Sequence, residues 1–282
     1  MKQKKMDWIK YWQGFTLGFA MLSWIILVFM LRFPIWILFP VFFAYIVINA
    51  LIFQSYSIAM LGNYYYFVRK PDKALNCYKK AVAKNTINVT ALYNYSLEML
   101  HQGNADEALR CLERAEKYNT KLIYEKNIPL AISSCYWVMG GEDNIRKAID
   151  ILEKLKDTYR YVNVSVYTTL GYFYLLINDL KKAEEYTEIA IKENKEHAPA
   201  WDNKGQICYI RKEYDKAKEA FEIALKYREY MVDSLYYMGK IAVIEGDKAK
   251  AREYFLKAAK CNISAMNTVT YEDVEKELKK LG

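Results

Sequence analysis

Three glycines in the second half of the chain stand 34 residues apart, and their surroundings repeat with them. Leu170-Gly171, Lys204-Gly205 and Met238-Gly239 are followed, three residues after the glycine, by Tyr174, Cys208 and Ala242. Twelve residues after it come Ala183, Ala217 and Ala251, then Thr187, Phe221 and Phe255, then Ala190, Ala224 and Ala258. A period this long is one supersecondary unit copied. Each copy cannot bury its apolar face alone and must stack on its neighbours. The residue types have packing reasons. Glycine lets the first helix of a unit approach its partner closely. The alanines let the second helix pack on the first helices of its own and the next unit, and the aromatic fills the space between.

The pattern extends upstream. Leu61, Gly62, Tyr65, Ala74, Tyr78 and Ala81 define a unit at 55–88, and Tyr95, Ser96, Met99, Gly103, Ala108, Leu112 and Ala115 a second at 89–122. A third, at 127–163, is looser: Trp137, Gly141, Ala148 and Leu152 fit when its turn carries two extra residues. Units four to six run 164–197, 198–231 and 232–265. Through these residues the chain resembles the tetratricopeptide-repeat family over roughly 210 residues. Trp201 sits where that family favours tryptophan; the family's terminal proline is missing from most units. The resemblance implies an all-α fold, a right-handed solenoid of six helix–turn–helix units. Residues 266–282 follow as a capping helix, with Thr270 as N-cap, acids in its first turn, lysines in its last, and an apolar stripe of Tyr271, Val274, Leu278 and Leu281.

The first 54 residues have a different composition. Between Trp12 and Phe53 the only charged residue is Arg32. The runs 12–31 and 35–53 are each long enough, at about 1.5 Å per residue, to cross a hydrocarbon core of roughly 30 Å. A transmembrane hairpin over 1–54 is expected, with Arg32-Phe33-Pro34 as its tip and Pro40 either kinking its second helix or marking that helix's start. Lys2, Lys4, Lys5 and Lys10 precede the first helix, and Arg69, Lys70 and Lys73 follow the second. The positive-inside bias therefore places both termini in the cytoplasm. No proline separates Pro40 from Pro71, so the second membrane helix is expected to run into the first repeat helix. Gly14 and Gly18 have the spacing of a close helix–helix contact. Abundant Lys, Ile, Asn and Tyr point to an AT-rich bacterial genome, hence to a bacterial cell membrane.

Several functional classes are disfavoured. The net charge of +8 is shared evenly between the first 54 residues and the rest, which leaves no basic stripe for nucleic acid. The five cysteines are single and odd in number, as in reduced, helix-packed thiols. Two histidines, His101 and His197, have no motif around them, and no phosphate-binding loop, nucleophile elbow or metal-binding pair occurs. No enzyme activity, cofactor, metal or small-molecule substrate is expected. Four Asn-X-Ser/Thr sequons, at Asn88, Asn94, Asn163 and Asn262, would face the cytoplasm.

What the resemblance implies is protein binding. In that family the first helix of each unit lines a concave groove that holds a protein or an extended peptide. Carried onto this sequence, the groove residues are Asn63, Tyr93, Asn94, Thr168, Tyr172, Asn203, Gln206, Tyr209, Tyr236, Tyr237 and Lys240, with Tyr66, Leu97, Leu176 and Asp202 beside them. Asn94 and Asn203 stand at the sixth place of their units, where asparagine in relatives holds a peptide backbone. Asn63 and Asn94 also match the asparagines of a C-terminal carboxylate clamp. Ala59, Ile128 and Ile132 occupy its basic places, so that clamp is not expected. The tyrosines offer large contact area with a polar tip. The expected function is a membrane-anchored adaptor. The alternative is a structural subunit of a secretion, envelope or division complex that makes its main contacts through the hairpin.

Overall fold

The computed structural model describes Pro40, Phe43, Ala44, Val47 and Ile48, all helical, and residues 53–159, 162–265 and 267–282. From Gln54 onward thirteen helices succeed one another among the described residues: α1 Gln54–Phe67, α2 Pro71–Ala83, α3 Val89–His101, α4 Ala105–Tyr118, α5 Leu122–Met139, α6 Glu142–Thr158, α7 Val164–Leu176, α8 Leu180–Glu193, α9 Ala198–Ile210, α10 Tyr214–Tyr227, α11 Val232–Ile244, α12 Lys248–Ala259 and α13 Tyr271–Leu281. The all-α repeat solenoid is therefore present. The expected membrane helices at 12–31 and 35–53 lie outside the described residues, apart from Phe53 and the five positions above. Among the described residues no helix is long and apolar enough to cross a membrane.

The chain divides into two compact units, residues 1–95 with 111–120, and residues 96–110 with 121–282. In both, one contact recurs. A Cβ built on Gly62 would meet the Tyr78 ring at 2.7 Å; on Gly205, the Phe221 ring at 2.5 Å; on Gly239, the Phe255 ring at 2.6 Å. Each ring lies in the second helix of the repeat, flat against the bare backbone of the first. The rings of Phe221 and Phe255 are fully buried. In the fourth repeat Thr187 takes the ring's place, and its Oγ1 lies 2.7 Å from the position of a Cβ on Gly171. That hydroxyl is buried without a hydrogen-bond partner among the described residues.

The turn inside each repeat also recurs. Arg69, Gly103, Asn178, Lys212 and Gly246 all have φ between 56° and 82°. The residue after each donates its N–H to a carbonyl five residues back: Lys70 to Tyr65, Asn104 to Met99, Asp179 to Tyr174, Glu213 to Cys208 and Asp247 to Ala242, at 2.8–2.9 Å. This left-handed closure satisfies the last carbonyls of the first helix. Asp179 and Asp247 then cap the second helix, accepting from Lys182 N and Lys250 N. The third repeat departs from this plan. Its turn is only Gly140-Gly141, both at positive φ. The extra residues lie in the helices instead, which reach 18 and 17 residues. Pro129 lies inside α5, as its eighth residue, where it removes the N–H that would bond the Glu125 carbonyl.

Repeats three and four are joined by a polar staple. Glu153 accepts from Tyr174 Oη at 2.9 Å and Tyr186 Oη at 2.7 Å, and pairs with Lys156 at 2.9 Å. Burial pushes the Glu153 carboxyl up, but its three donors hold it below the usual carboxylate range. At the far end Thr270 and Asp273 form a capping box that starts α13. Val274, Leu278 and Leu281 pack on the core of the sixth repeat. Tyr271, expected in the same stripe, is half exposed, and its hydroxyl donates to Cys261 O at 3.0 Å.

Two substitutions test this packing by urea denaturation. Gly205→Ala should cost about 1–3 kcal/mol although alanine is the better helix former, because the methyl must displace a ring locked in the core. Thr187→Val, which removes the unpaired hydroxyl at constant volume, should raise stability by up to about 1 kcal/mol.

Candidate functional site

In the second unit the first helices α7, α9 and α11 lie side by side, and their shared face carries most of the expected groove residues. Its floor is polar and buried. Asn203, 3% exposed, donates from Nδ2 to the Thr168 carbonyl of the preceding repeat at 2.8 Å. The Thr168 hydroxyl is spent on Val164 O at 3.0 Å. Gln206 donates to Asp202 Oδ2 at 2.8 Å, and Ser234 to Asp202 Oδ1 at 2.5 Å. The Asn203 and Ser234 bonds tie one repeat to the next. Asn203 and Gln206 thus each donate an amide N–H within this floor.

Two carboxylates stand at the centre. Asp202 is 6% exposed. Asp233, in the first turn of α11, accepts from Val269 N at 3.2 Å, and the Asn267 side chain and Thr268 backbone face it closely enough to favour its charged form. Among the described residues neither forms an ion pair. Burial, and the proximity of Asp233, push the Asp202 carboxyl up to about 7, against the opposing hydrogen bonds of Ser234 and Gln206. Burial likewise raises Asp233, against the amides that face it.

Tyrosines wall this floor. Tyr237 stacks on Phe221 at 5.8 Å and meets Tyr209 at 4.9 Å. Tyr236 stands edge-on to Tyr237 at 5.7 Å and against Phe255 at 5.7 Å. Tyr172 meets Trp137 edge-on at 5.4 Å, and its hydroxyl pairs with Thr268 Oγ1. Burial raises the phenols of Tyr172 and Tyr237, and that of Tyr236 to about 12, so all three remain neutral donors at physiological pH. Lys240 Nζ lies 3.3 Å from Glu277 of α13, which Lys280 also reaches at 2.8 Å. Burial pushes Glu277 up, but the two lysines hold it below its ordinary value.

The remaining expected residues lie in the first unit. Tyr78 Oη donates to Asn63 Oδ1 at 3.0 Å and accepts from Asn94 Nδ2 at 3.2 Å. Asn63 Nδ2 reaches Asn88 Oδ1 at 3.5 Å. Both asparagines thus converge on the ring that seats Gly62. Tyr93 is half-buried on α3. Thus the structure gathers Thr168, Tyr172, Asn203, Gln206, Tyr209, Tyr236, Tyr237 and Lys240 in the second unit, and Asn63, Tyr93 and Asn94 in the first. Asp233 and the segment 267–270 were not expected. Among the described residues no cluster of three or more His, Cys, Asp or Glu side chains could hold a metal.

Tetratricopeptide-repeat models match residues 59–121, 164–197 and 211–265, together more than half of the chain. The chain belongs to the tetratricopeptide-repeat family. Among solved structures it is similar to the Cut9 complex Cut9-Hcn1 of the APC/C, with 17% identity and a TM-score of 0.60 over 84% of this chain and 45% of that one. PilW, a type IV pilus biogenesis factor, matches with 15% identity and a TM-score of 0.57 over 81% of this chain and 98% of that one. A repeat protein from Parabacteroides merdae matches with 18% identity and a TM-score of 0.53 over 81% and 99%. At these identities the likeness is one of fold. Among curated proteins nothing matches the chain. The repeat architecture is that of a protein-interaction scaffold.

The carboxylate pair predicts a pH dependence. Its raised native pKa means that the fold favours the protonated form. The stabilisation is full below the ordinary aspartate value near 4 and is lost as pH rises to about 7. Asp202→Asn should flatten this loss: the drop in melting temperature between pH 5 and pH 8 should shrink by several degrees. Parallel profiles for the two proteins would refute it.

Proposed function

We propose that the chain is a membrane-anchored scaffold whose cytoplasmic repeat domain binds a protein or an extended peptide on the face of α7, α9 and α11. The observation that carries this reading is that face: tyrosine walls above a floor of carboxylates and amides. Tyrosine supplies contact area at low entropic cost, and the polar floor supplies register. The anchor and its orientation rest on the two charge-free runs of the N-terminal sequence and on the lysines that flank them.

A second reading has the chain act as a structural subunit of a membrane complex. One observation favours it. Helix α1, next to the expected anchor, presents Met60, Leu61, Tyr64 and Phe67 to solvent, Phe67 at 84% exposure. Exposed apolar residues gathered on one helix mark a contact surface.

Cross-linking in intact membranes, with identification of the captured proteins, separates the two. Tyr209→Ala with Lys240→Ala should abolish capture of the partner and leave the melting temperature within a few degrees. A partner retained by that variant but lost by Tyr64→Ala with Phe67→Ala would move the working surface to α1.

A further inference from the structure

We infer that the face of α7, α9 and α11 is a peptide-binding site held by the chain's own segment Asn267–Thr270, which an incoming extended strand of similar chemistry, uncharged and rich in hydroxyl and amide groups, must displace. This rests on the reading of that face as the partner-binding surface and adds what occupies it and what it selects.

The segment is distinctive in sequence. From Cys261 to Tyr271 the chain carries no charged residue, between two helices dense in lysine and glutamate. A turn opens it: Asn267 N donates to Ser264 O at 3.0 Å, and Asn267 Oδ1 accepts from Ser264 N at 2.9 Å. Tyr271 Oη closes its base, donating to Cys261 O and accepting from Ile263 N at 3.2 Å. Ala265 N lies 3.4 Å from the His101 carbonyl.

Beyond the turn, the segment meets the face as a bound peptide would. Asp233 accepts the backbone N–H of Val269 at 3.2 Å, and the Thr268 and Asn267 amides lie close enough to favour its charged form. Tyr172 Oη pairs with the Thr268 hydroxyl. Val269 drops into an apolar slot with Val232, Leu235 and Phe255. One carboxylate thus reads the backbone, one phenol reads a hydroxyl, and one slot takes an apolar side chain. This is how peptide grooves divide affinity and specificity. Asp202 lies close behind Asp233, and among the described residues neither has a cation, so an added carboxylate would find no counter-ion there. The segment's hydroxyl residues stand open: Thr268 and Thr270 are exposed, while Val269 is buried in the slot.

The probe is a fluorescein-labelled peptide of residues 262–270, Asn-Ile-Ser-Ala-Met-Asn-Thr-Val-Thr. It is titrated against the full chain in detergent micelles and against the same chain with residues 264–269 replaced by Gly-Ser-Gly-Ser-Gly-Ser. The replaced chain should bind it saturably, about tenfold or more tighter than the unaltered chain. Asp233→Ala in the replaced chain should lose that gain. A folded replaced chain that ignores the peptide, or equal binding by both chains, overturns the inference. If the replacement prevents folding, hydrogen exchange on the unaltered chain decides: Thr268 and Val269 amides should open about a hundredfold more often than the core amides of α11, and exchange only by global unfolding overturns it. Failure here differs from failure of the partner reading, which is scored by capture of a foreign protein and not by this peptide.

Discussion

The close approach of a glycine in one helix to a ring in the next is the contact on which the rest depends. At Gly205 and Gly239 even a methyl would fall well inside van der Waals contact distance of the facing ring. The interhelical distance within a repeat is therefore set by a flat ring against bare backbone. Once that distance is fixed, the small alanines on the second helix, Ala217 and Ala224 in the fifth repeat, are fully buried and admit the neighbouring helices. The left-handed residue closing each turn then aligns the two helices, and the repeat can be stacked. Bulky aliphatics at the glycine positions would splay the pair and disturb every later unit.

Stacking leaves the first helices with a face that is not purely apolar. Asn203, Asp202, Gln206 and Ser234 are buried where a soluble core would usually place aliphatics, Asn203 and Ser234 bonding across repeats and Gln206 within its own helix. Burying such groups is tolerable because most are paired. The exceptions in charge are Asp202 and Asp233, which have donors but no cation. A carboxylate kept in that condition favours its protonated form, and any neighbour offering N–H groups is welcome to it. The segment after α12 supplies those groups. The residues of this floor also carry the packing between repeats, so the floor cannot be altered without touching that packing.

Much of this was legible in the sequence. The 34-residue spacing marks the glycine–ring pairs directly, because each pair is local to one repeat and recurs. Thr270 followed by Asp273 marks the start of the last helix for the same reason. In the third repeat the spacing showed two surplus residues and put them in the turn; a helix absorbs them equally well on paper, and in the structure it is the helices that lengthen. Asn203 could be placed on the face but its partner could not, since Thr168 O is a backbone atom of another repeat. Least legible were Asp233 and the segment that covers it. Tyr172 and Thr268 are 96 residues apart, outside any period, and the only sign was a stretch without charge.

The division of labour between ring contacts and side-chain hydrogen bonds has a mechanical consequence. Within a repeat, a ring locked on backbone is stiff in every direction. Between the fourth, fifth and sixth repeats, much of the polar linkage falls on Asn203 to Thr168 O and Ser234 to Asp202, whose directional bonds resist sliding but yield to rotation. The second unit should therefore behave as rigid plates on compliant joints, with strain gathering at those two bonds. A load that opens one of them would change the angle between plates while leaving every plate intact.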